Sequence, residues 1–405
     1  MLCGLDQLFN SPLGTLRKRV RNSRIGVLTH AAAVDRRGRG VLEVLEELGV
    51  APAIVFSPEH GLAGAAQAQK PVEPADEGRD AGIPVVSVYG STRDSLSPTR
   101  THLEQIDLLL VDLADVGSRY YTYVWTALLA ARAAEQSGVH TVILDRPNPI
   151  TGDTTLCEGT PQRPEFLSFV GLESIPVRHS LTLAEIVAHF WHRDGLALGP
   201  DGSLSVVPVR GWERLRTAEA WGRPFVPPSP NMPTLETALV YPGGCLIEGT
   251  NLSEGRGTTT PFQVIGAPFL RGARLATSLQ ELGTPGAMVR PVVFKPTFDK
   301  YAGQVCEGLM IHVTNAALFR PIATYLRLVS LARAQAPDTF AFSAEPYEFE
   351  TRIPAFDLLT GSPDAREAVL GGASPEEVVS LATPVDSAWK DRVAEAEARL
   401  AEAEA

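Results

Sequence analysis

The chain has no excess of basic residues, no paired cysteines and no long apolar run, and each absence closes a class of function. Lysine and arginine total 36 against 47 aspartates and glutamates, leaving a formal charge of −11 over 405 residues. Nucleic acids and anionic membrane surfaces both call for basic patches, so neither is expected as a partner. Cysteine occurs four times, at Cys3, Cys157, Cys245 and Cys306, with no CxxC. That spacing is neither a disulfide framework nor a zinc site and implies buried free thiols. The opening MLCGLDQLFN lacks a basic region followed by an apolar stretch, and no run of about 18 apolar residues occurs. The expectation is a soluble, cytoplasmic chain. Three fingerprints are missing as well: a Walker loop, a GxGxxG after the first strand and a GxSxG elbow. Nothing therefore calls for a nucleotide or a hydrolase serine, and no cofactor is expected.

What is present is a βαβ rhythm. Continuous apolar runs recur at residues 25–30, 52–56, 83–90, 106–113 and 140–145, as suits strands buried on both faces. Helix-like stretches at 41–49 and 122–138 lie between them. The pattern predicts an α/β fold with a Rossmann-like, doubly wound, mainly parallel sheet. A further helix is predicted from Leu183 to about His192, with Thr182 and Glu185 as its capping box. The Pro-rich stretch 223–233 reads as a seam between a domain at 1–240 and a smaller α/β domain at 241–405. In the second domain, strands are predicted around 290–298 and 307–314, and helices near 319–335 and from Ser374. The charged tail reads as a solvated helix.

In open parallel sheets, ligands bind outside the carboxyl ends of the strands. Here those ends carry Thr29 and His30, then Glu59 and His60, then Asp112, Asp115, Arg119, Tyr120 and Tyr121, then Asp145, Arg146 and Asn148. Their convergence along one edge is the strongest signal in the sequence. Asp112 and Asp145 would serve equally well as caps of the next helix or turn. Asp115 and Arg119 would equally well pair with each other. Of two adjacent tyrosines, at least one should face the cleft. Glu59 follows Ser-Pro on a tight turn, which favours a catalytic or binding role. His189 and His192 form an HxxH with no acidic third ligand, so a helix face is expected and not a metal site.

With these residues identified, the chain resembles a known family. SPEHG, DVGSRYYTY, LDRPNPI, Glu158-Gly159, IPVRH, SPNMPT, YPGGCL, EGTNLSEGRGTTTPF and PTFDKYAG occur in the order that the DUF1343 family shows. These are the exo-β-N-acetylmuramidases of the NamZ type, and the likeness runs from about residue 4 into the C-terminal region. The resemblance implies a two-domain glycoside hydrolase with its active site between the domains. Its substrate would be a muropeptide or disaccharide, from whose non-reducing end it releases N-acetylmuramic acid. No metal is implied.

Glycoside cleavage needs a proton donor and stabilisation of an oxocarbenium-like centre. Glu59 is the expected general acid, with His60 tuning it or relaying a proton. Glu158 and Glu254 are possible second carboxylates, and Asp115 could orient the substrate's acetamido group. The lactyl carboxylate calls for an arginine, with Arg119, Arg146 and Arg256 as candidates. Tyr121, Asn148, Asn231 and Asn251 complete the expected contacts. Two rival functions stay open at this point: a non-catalytic muropeptide binder, and a metal-assisted hydrolase using Asp112, Asp115 and Asp145.

Overall fold

A computed structural model describes residues 1–8, 14–67 and 82–404. The apolar runs of the first half form a six-stranded parallel sheet: β1 (Ile25–Thr29), β2 (Ile54–Ser57), β3 (Val85–Ser87), β4 (Leu108–Asp112), β5 (His140–Leu144) and β6 (Leu204–Val207). The strand order is β3-β2-β1-β4-β5-β6, and every neighbouring pair is parallel. The order reverses between β1 and β4, where such folds open a crevice. In register, Val27 lies beside Val55 and Leu110, and Leu110 beside Val142.

Why the runs are continuous is visible in the packing. Successive side chains of a strand point to opposite faces. Leu108 and Leu110 therefore join Val20, Val41 and Val44 in one layer, while Leu109 and Val111 join Trp125, Leu128, Ile186 and Val187 in the other. Each fully buried leucine or valine of this kind contributes roughly 1.5–3 kcal/mol. The helices Tyr123–Gln136 and Leu183–Arg193 cover the second face. Thr182 caps the latter as predicted, its hydroxyl accepting from the Glu185 N–H at 3.1 Å while Glu185 accepts from the Thr182 N–H at 2.8 Å.

The second domain holds a three-stranded antiparallel sheet of β7 (Val264–Ala267), β8 (Ala287–Phe294) and β9 (Cys306–Val313), in the order β7-β9-β8. The helix Gly272–Leu282 packs on β8 and β9, and beside it the helices Leu235–Gly244 and Pro321–Gln335 pack against each other. Their approach explains the glycine pair of YPGGCL. A Cβ on Gly243 would stand 2.2 Å from the Pro321 carbonyl oxygen, and one on Gly244 2.8 Å from the Phe262 Cβ. We propose that the helix Leu235–Gly244 belongs to the second domain, which sets the division in the irregular stretch just before it. The terminal helix Trp389–Glu402 departs from the solvated helix expected. Trp389, Val393 and Ala396 are buried, and the Trp389 indole donates to the His179 carbonyl at 3.1 Å. Its apolar residues recur at helical spacing beneath the charges, which makes the helix amphipathic. Among the described residues, no helix is long and apolar enough to cross a membrane.

Candidate active site

The polar residues at the strand ends divide between two cavities. The first, about 50 Å³, lies beyond β1, β4 and β5 and is lined by Val34, Asp115, Arg146, Trp221 and Arg223. Its charges are largely matched. Arg146 grips Asp112 through Nε–Oδ1 at 2.6 Å and Nη2–Oδ2 at 2.9 Å, and its third nitrogen donates to the Val34 carbonyl at 2.9 Å. Such a two-point pairing fixes geometry as well as charge. Asp115 accepts from the Gly117 N–H at 2.7 Å, its Oδ1 is buried without a partner, and burial pushes its carboxyl up to about 7. His30 accepts from the Ala114 N–H at 2.9 Å, and burial, with Arg146 and His60 nearby, pushes it down to about 3. It is a neutral acceptor there.

The second cavity lies between the domains. Glu59, His60 and Tyr120 to Thr122 line it from the first domain. Ser229 and Asn231 come from the Pro-rich connection, and Glu248, Arg256, Tyr347 and Glu348 from the second domain. Its open space is narrow, about 30 Å³. It shares Glu248, Arg256 and Tyr347 with a wider outer cavity of about 590 Å³.

The turn after β2 places Glu59. Thr122 donates to its Oε2 at 2.8 Å, and the Tyr123 hydroxyl reaches the carbonyls of Glu59 and Pro228 at 3.2 and 3.0 Å. His60 follows in a left-handed conformation, φ 73°, and its Nδ1 lies 2.8 Å from the Ala66 carbonyl oxygen. Strain of this kind persists only where the surroundings enforce it. Across the cavity stands Glu348. It and Phe349 are both left-handed, with φ 47° and 66°. The Tyr89 hydroxyl donates to Glu348 Oε2 at 3.0 Å. Burial, and then the charge of Glu59, push the Glu348 carboxyl well above the ordinary range.

The segment 248–262 closes the cavity from the second domain. Arg256 reaches Glu248 at 2.6 Å and Glu254 at 3.2 Å, with its guanidinium 5.1 Å from the Phe262 ring centre. Burial works against the charge of Glu254, but Lys300, at 3.0 Å, and Arg256 hold its carboxyl below the usual range. The Tyr347 hydroxyl donates to Glu248 at 2.7 Å.

Other candidates from the sequence lie elsewhere. Arg119 is fully buried and donates to the carbonyls of Thr160, Ile175 and Leu359, rather than pairing with Asp115. Burial lowers it only to about 10, so it stays cationic. Glu158 accepts the N–H groups of Ile322 and Ala323, at 3.2 and 2.6 Å, at the start of the helix Pro321–Gln335. That is where a helix favours negative charge. Asn148 donates to the Leu181 carbonyl and accepts from the Ile150 N–H. Asn251 ties its loop to Thr339 and Ala341. Asn231 donates to Gln67 at 2.8 Å beside the cavity, and Tyr121 lines the same cavity.

The three aspartates of the metal-assisted alternative are engaged separately, Asp112 by Arg146, Asp115 by the Gly117 N–H and Asp145 by the Ala184 N–H. Among the described residues, no group of three or more His, Cys, Asp or Glu is placed to hold a metal ion.

A family model described as Exo-beta-N-acetylmuramidase NamZ, N-terminal, matches residues 25–236, and its C-terminal counterpart matches residues 239–397. The chain belongs to the NamZ exo-β-N-acetylmuramidase family. As a NamZ-family member it is a glycosidase. Peptidoglycan beta-N-acetylmuramidase NamZ of Bacillus subtilis strain 168 is 37% identical over 378 residues, spanning 93% of this chain and 86% of that protein. The crystal structure of a DUF1343 family protein from Bacteroides fragilis NCTC 9343 superposes with a TM-score of 0.81 at 26% identity, covering 99% of this chain and 97% of that one. A second DUF1343 family protein from the same strain, at a TM-score of 0.68 and 24% identity over 100% and 98% of the two chains, shows the shared fold.

In this NamZ-family chain, Glu248, Tyr347 and Glu348 are the cavity residues that the sequence reading passed over. Glu248 opens the very segment that drew attention, yet Glu254 and Arg256 took the role. Tyr347 and Glu348 lie in PYEFE, an irregular stretch with no periodicity. Acidic residues between aromatics in such a stretch were the available sign.

Proposed function

We propose that the chain releases N-acetylmuramic acid from the non-reducing end of peptidoglycan fragments, with Glu59 donating the proton to the departing oxygen. The observation that carries this reading is the meeting of two buried glutamates, Glu59 and Glu348, from different domains on one cavity. Two carboxyls meeting at one cavity are the pairing that glycoside cleavage calls for. Thr122 and Tyr123 hold Glu59 in place, and Tyr89 holds Glu348. Of the three arginines considered for the lactyl carboxylate, Arg256 lines this cavity, where it is paired with Glu248 and Glu254, whereas Arg119 serves carbonyls in the core and Arg146 holds Asp112 beside the other cavity. Arg256 is therefore the reader in this proposal. The inner cavity must widen to admit a sugar ring, and its strained wall at Tyr347–Phe349 is the place to yield. Fragments met in the cytoplasm would be imported muropeptides, and cell fractionation tests that location.

The decisive experiment compares two substrates, a muramic acid disaccharide and N-acetylmuramyl fluoride. Fluoride leaves without protonation. Glu59→Gln should slow release from the disaccharide by about 10²–10⁴-fold, the range for a positioned acid, and slow release from the fluoride far less. Equal slowing of both would assign Glu59 another role. No release from either by the unaltered protein would leave a binder instead of an enzyme of this specificity.

A further inference from the structure

The outer cavity continues the inner one through Glu248, Arg256 and Tyr347 and opens beside the loop between β8 and β9. At about 590 Å³ it falls in the size range of small-molecule sites. That loop, PTFDKYAG, is held with unusual firmness. The Thr297 N–H and hydroxyl both donate to the Gly257 carbonyl at 2.9 Å. The Tyr301 hydroxyl donates to the Asn251 carbonyl at 2.7 Å, and Lys300 reaches the carbonyls of Ile247 and Glu248 as well as Glu254. Asp299 and Tyr301 are left-handed, with φ 66° and 59°. Gly257, at φ 76°, lies so close that a Cβ there would stand 2.7 Å from the backbone nitrogen and oxygen of Phe298. All this holds one side chain at the cavity wall: Phe298, 40% exposed, the one aromatic among the exposed large apolar residues of the described chain. The exposed part of that ring is apolar surface that the fold leaves open at the cavity wall.

We infer that the outer cavity binds the uncharged amino sugar that leaves, with Phe298 as the platform on which its ring stacks. This rests on the proposed function and extends it to the other side of the scissile bond. A pyranose has an apolar C–H face and a polar rim, which suits an aromatic floor with polar walls. Gln67, Asp299, Ser343 and Glu345 supply those walls. Of the cations at the cavity, Lys300 is held by Glu254 and Arg256 is assigned to the lactyl group of the inner sugar, so neither is left for a charged stem peptide and a neutral ring fits better. The inner cavity then takes the terminal muramic acid.

The test measures kcat/KM of wild type, Phe298→Ala and Phe298→Trp on the peptide-free disaccharide, on a disaccharide carrying a stem peptide, and on N-acetylmuramyl fluoride, which has no leaving sugar. Phe298→Ala should lower the ratio of disaccharide to fluoride by about tenfold, and Phe298→Trp should restore most of it. An unchanged ratio overturns the inference, because it means the ring contributes nothing to the leaving sugar. An effect confined to peptide-bearing fragments also overturns it and assigns the platform to the stem peptide. If wild type cleaves neither substrate, the functional reading itself falls, and this inference falls with it.

Discussion

The two cavities at the carboxyl edge of the sheet are built from the same residue types and do opposite things with them. Around the first, opposite charges meet: Asp112 takes both oxygens to Arg146, and Arg223 reaches Asp6 at 3.0 Å. Around the second, like charges are crowded: Glu59, Glu248 and Glu348 share one cavity with Arg256. Matched pairs lower the local energy and fix structure. Crowded acids raise it. A sequence shows only that acids and bases converge on this edge, whereas the pairing tells architecture from chemistry.

The difference can be broken by mutation, beginning with the largest expected effect. Glu59→Gln should cost about 10²–10⁴-fold in turnover of the disaccharide with little change in thermal melting. Asp112→Asn should do the reverse. It leaves Arg146 buried and unmatched, costing about 3–5 kcal/mol of stability in chemical denaturation, while the folded fraction keeps its kcat. Comparable turnover losses in both variants would erase the distinction.

A pH experiment sharpens the same contrast. Asp145 accepts from the Ala184 N–H, and burial, then the charge of Glu185, push its carboxyl from 3.8 up to about 8. The folded state thus holds a proton that the unfolded chain has released. The associated stability is complete below about pH 4 and is lost as pH rises through about 8. Between pH 5 and 8, wild type should lose up to about 4 kcal/mol more than Asp145→Asn. Parallel denaturation curves for the two proteins would argue against a neutral Asp145.

The smallest effect belongs to Thr122→Val, which deletes one hydroxyl bond to Glu59. A bond to a charged group is worth about 1.5–3 kcal/mol. The rate profile should therefore shift along the pH axis and fall by about tenfold or somewhat more, short of the loss from Glu59→Gln. A profile of unchanged shape would mean that Thr122 does not position the acid.

Much of the fold could be read from the chain because burial on both faces writes itself as continuous apolar runs. β1 to β5 fall on the runs at 25–30, 52–56, 83–90, 106–113 and 140–145, and Thr182 and Ser374 announce their helices by local capping chemistry. β6 and β7, interrupted by Ser205 and Gly266, show no continuous apolar run and went unread. The lining of the cavity between the domains was legible only where motif and strand end coincide, as at Glu59. Glu348 could not be found that way, since its place depends on a chain reversal 289 residues later that no local pattern encodes. Arg119 and Glu158 misled for a related reason: a buried ionic side chain serving backbone groups looks, in sequence, like one serving a ligand.

Those two residues also bear on how the molecule comes apart. Arg119 sends a guanidinium from the first half to the Leu359 carbonyl in the second, and Glu158 holds the leading end of the helix Pro321–Gln335. Cutting the chain near residue 240 would leave the Arg119 guanidinium and the Glu158 carboxylate together on the first fragment without the backbone groups they bind, and would strip the second fragment of the carboxylate at the start of the helix Pro321–Gln335. Neither fragment should survive alone, and heating the intact protein should give a single calorimetric transition instead of two.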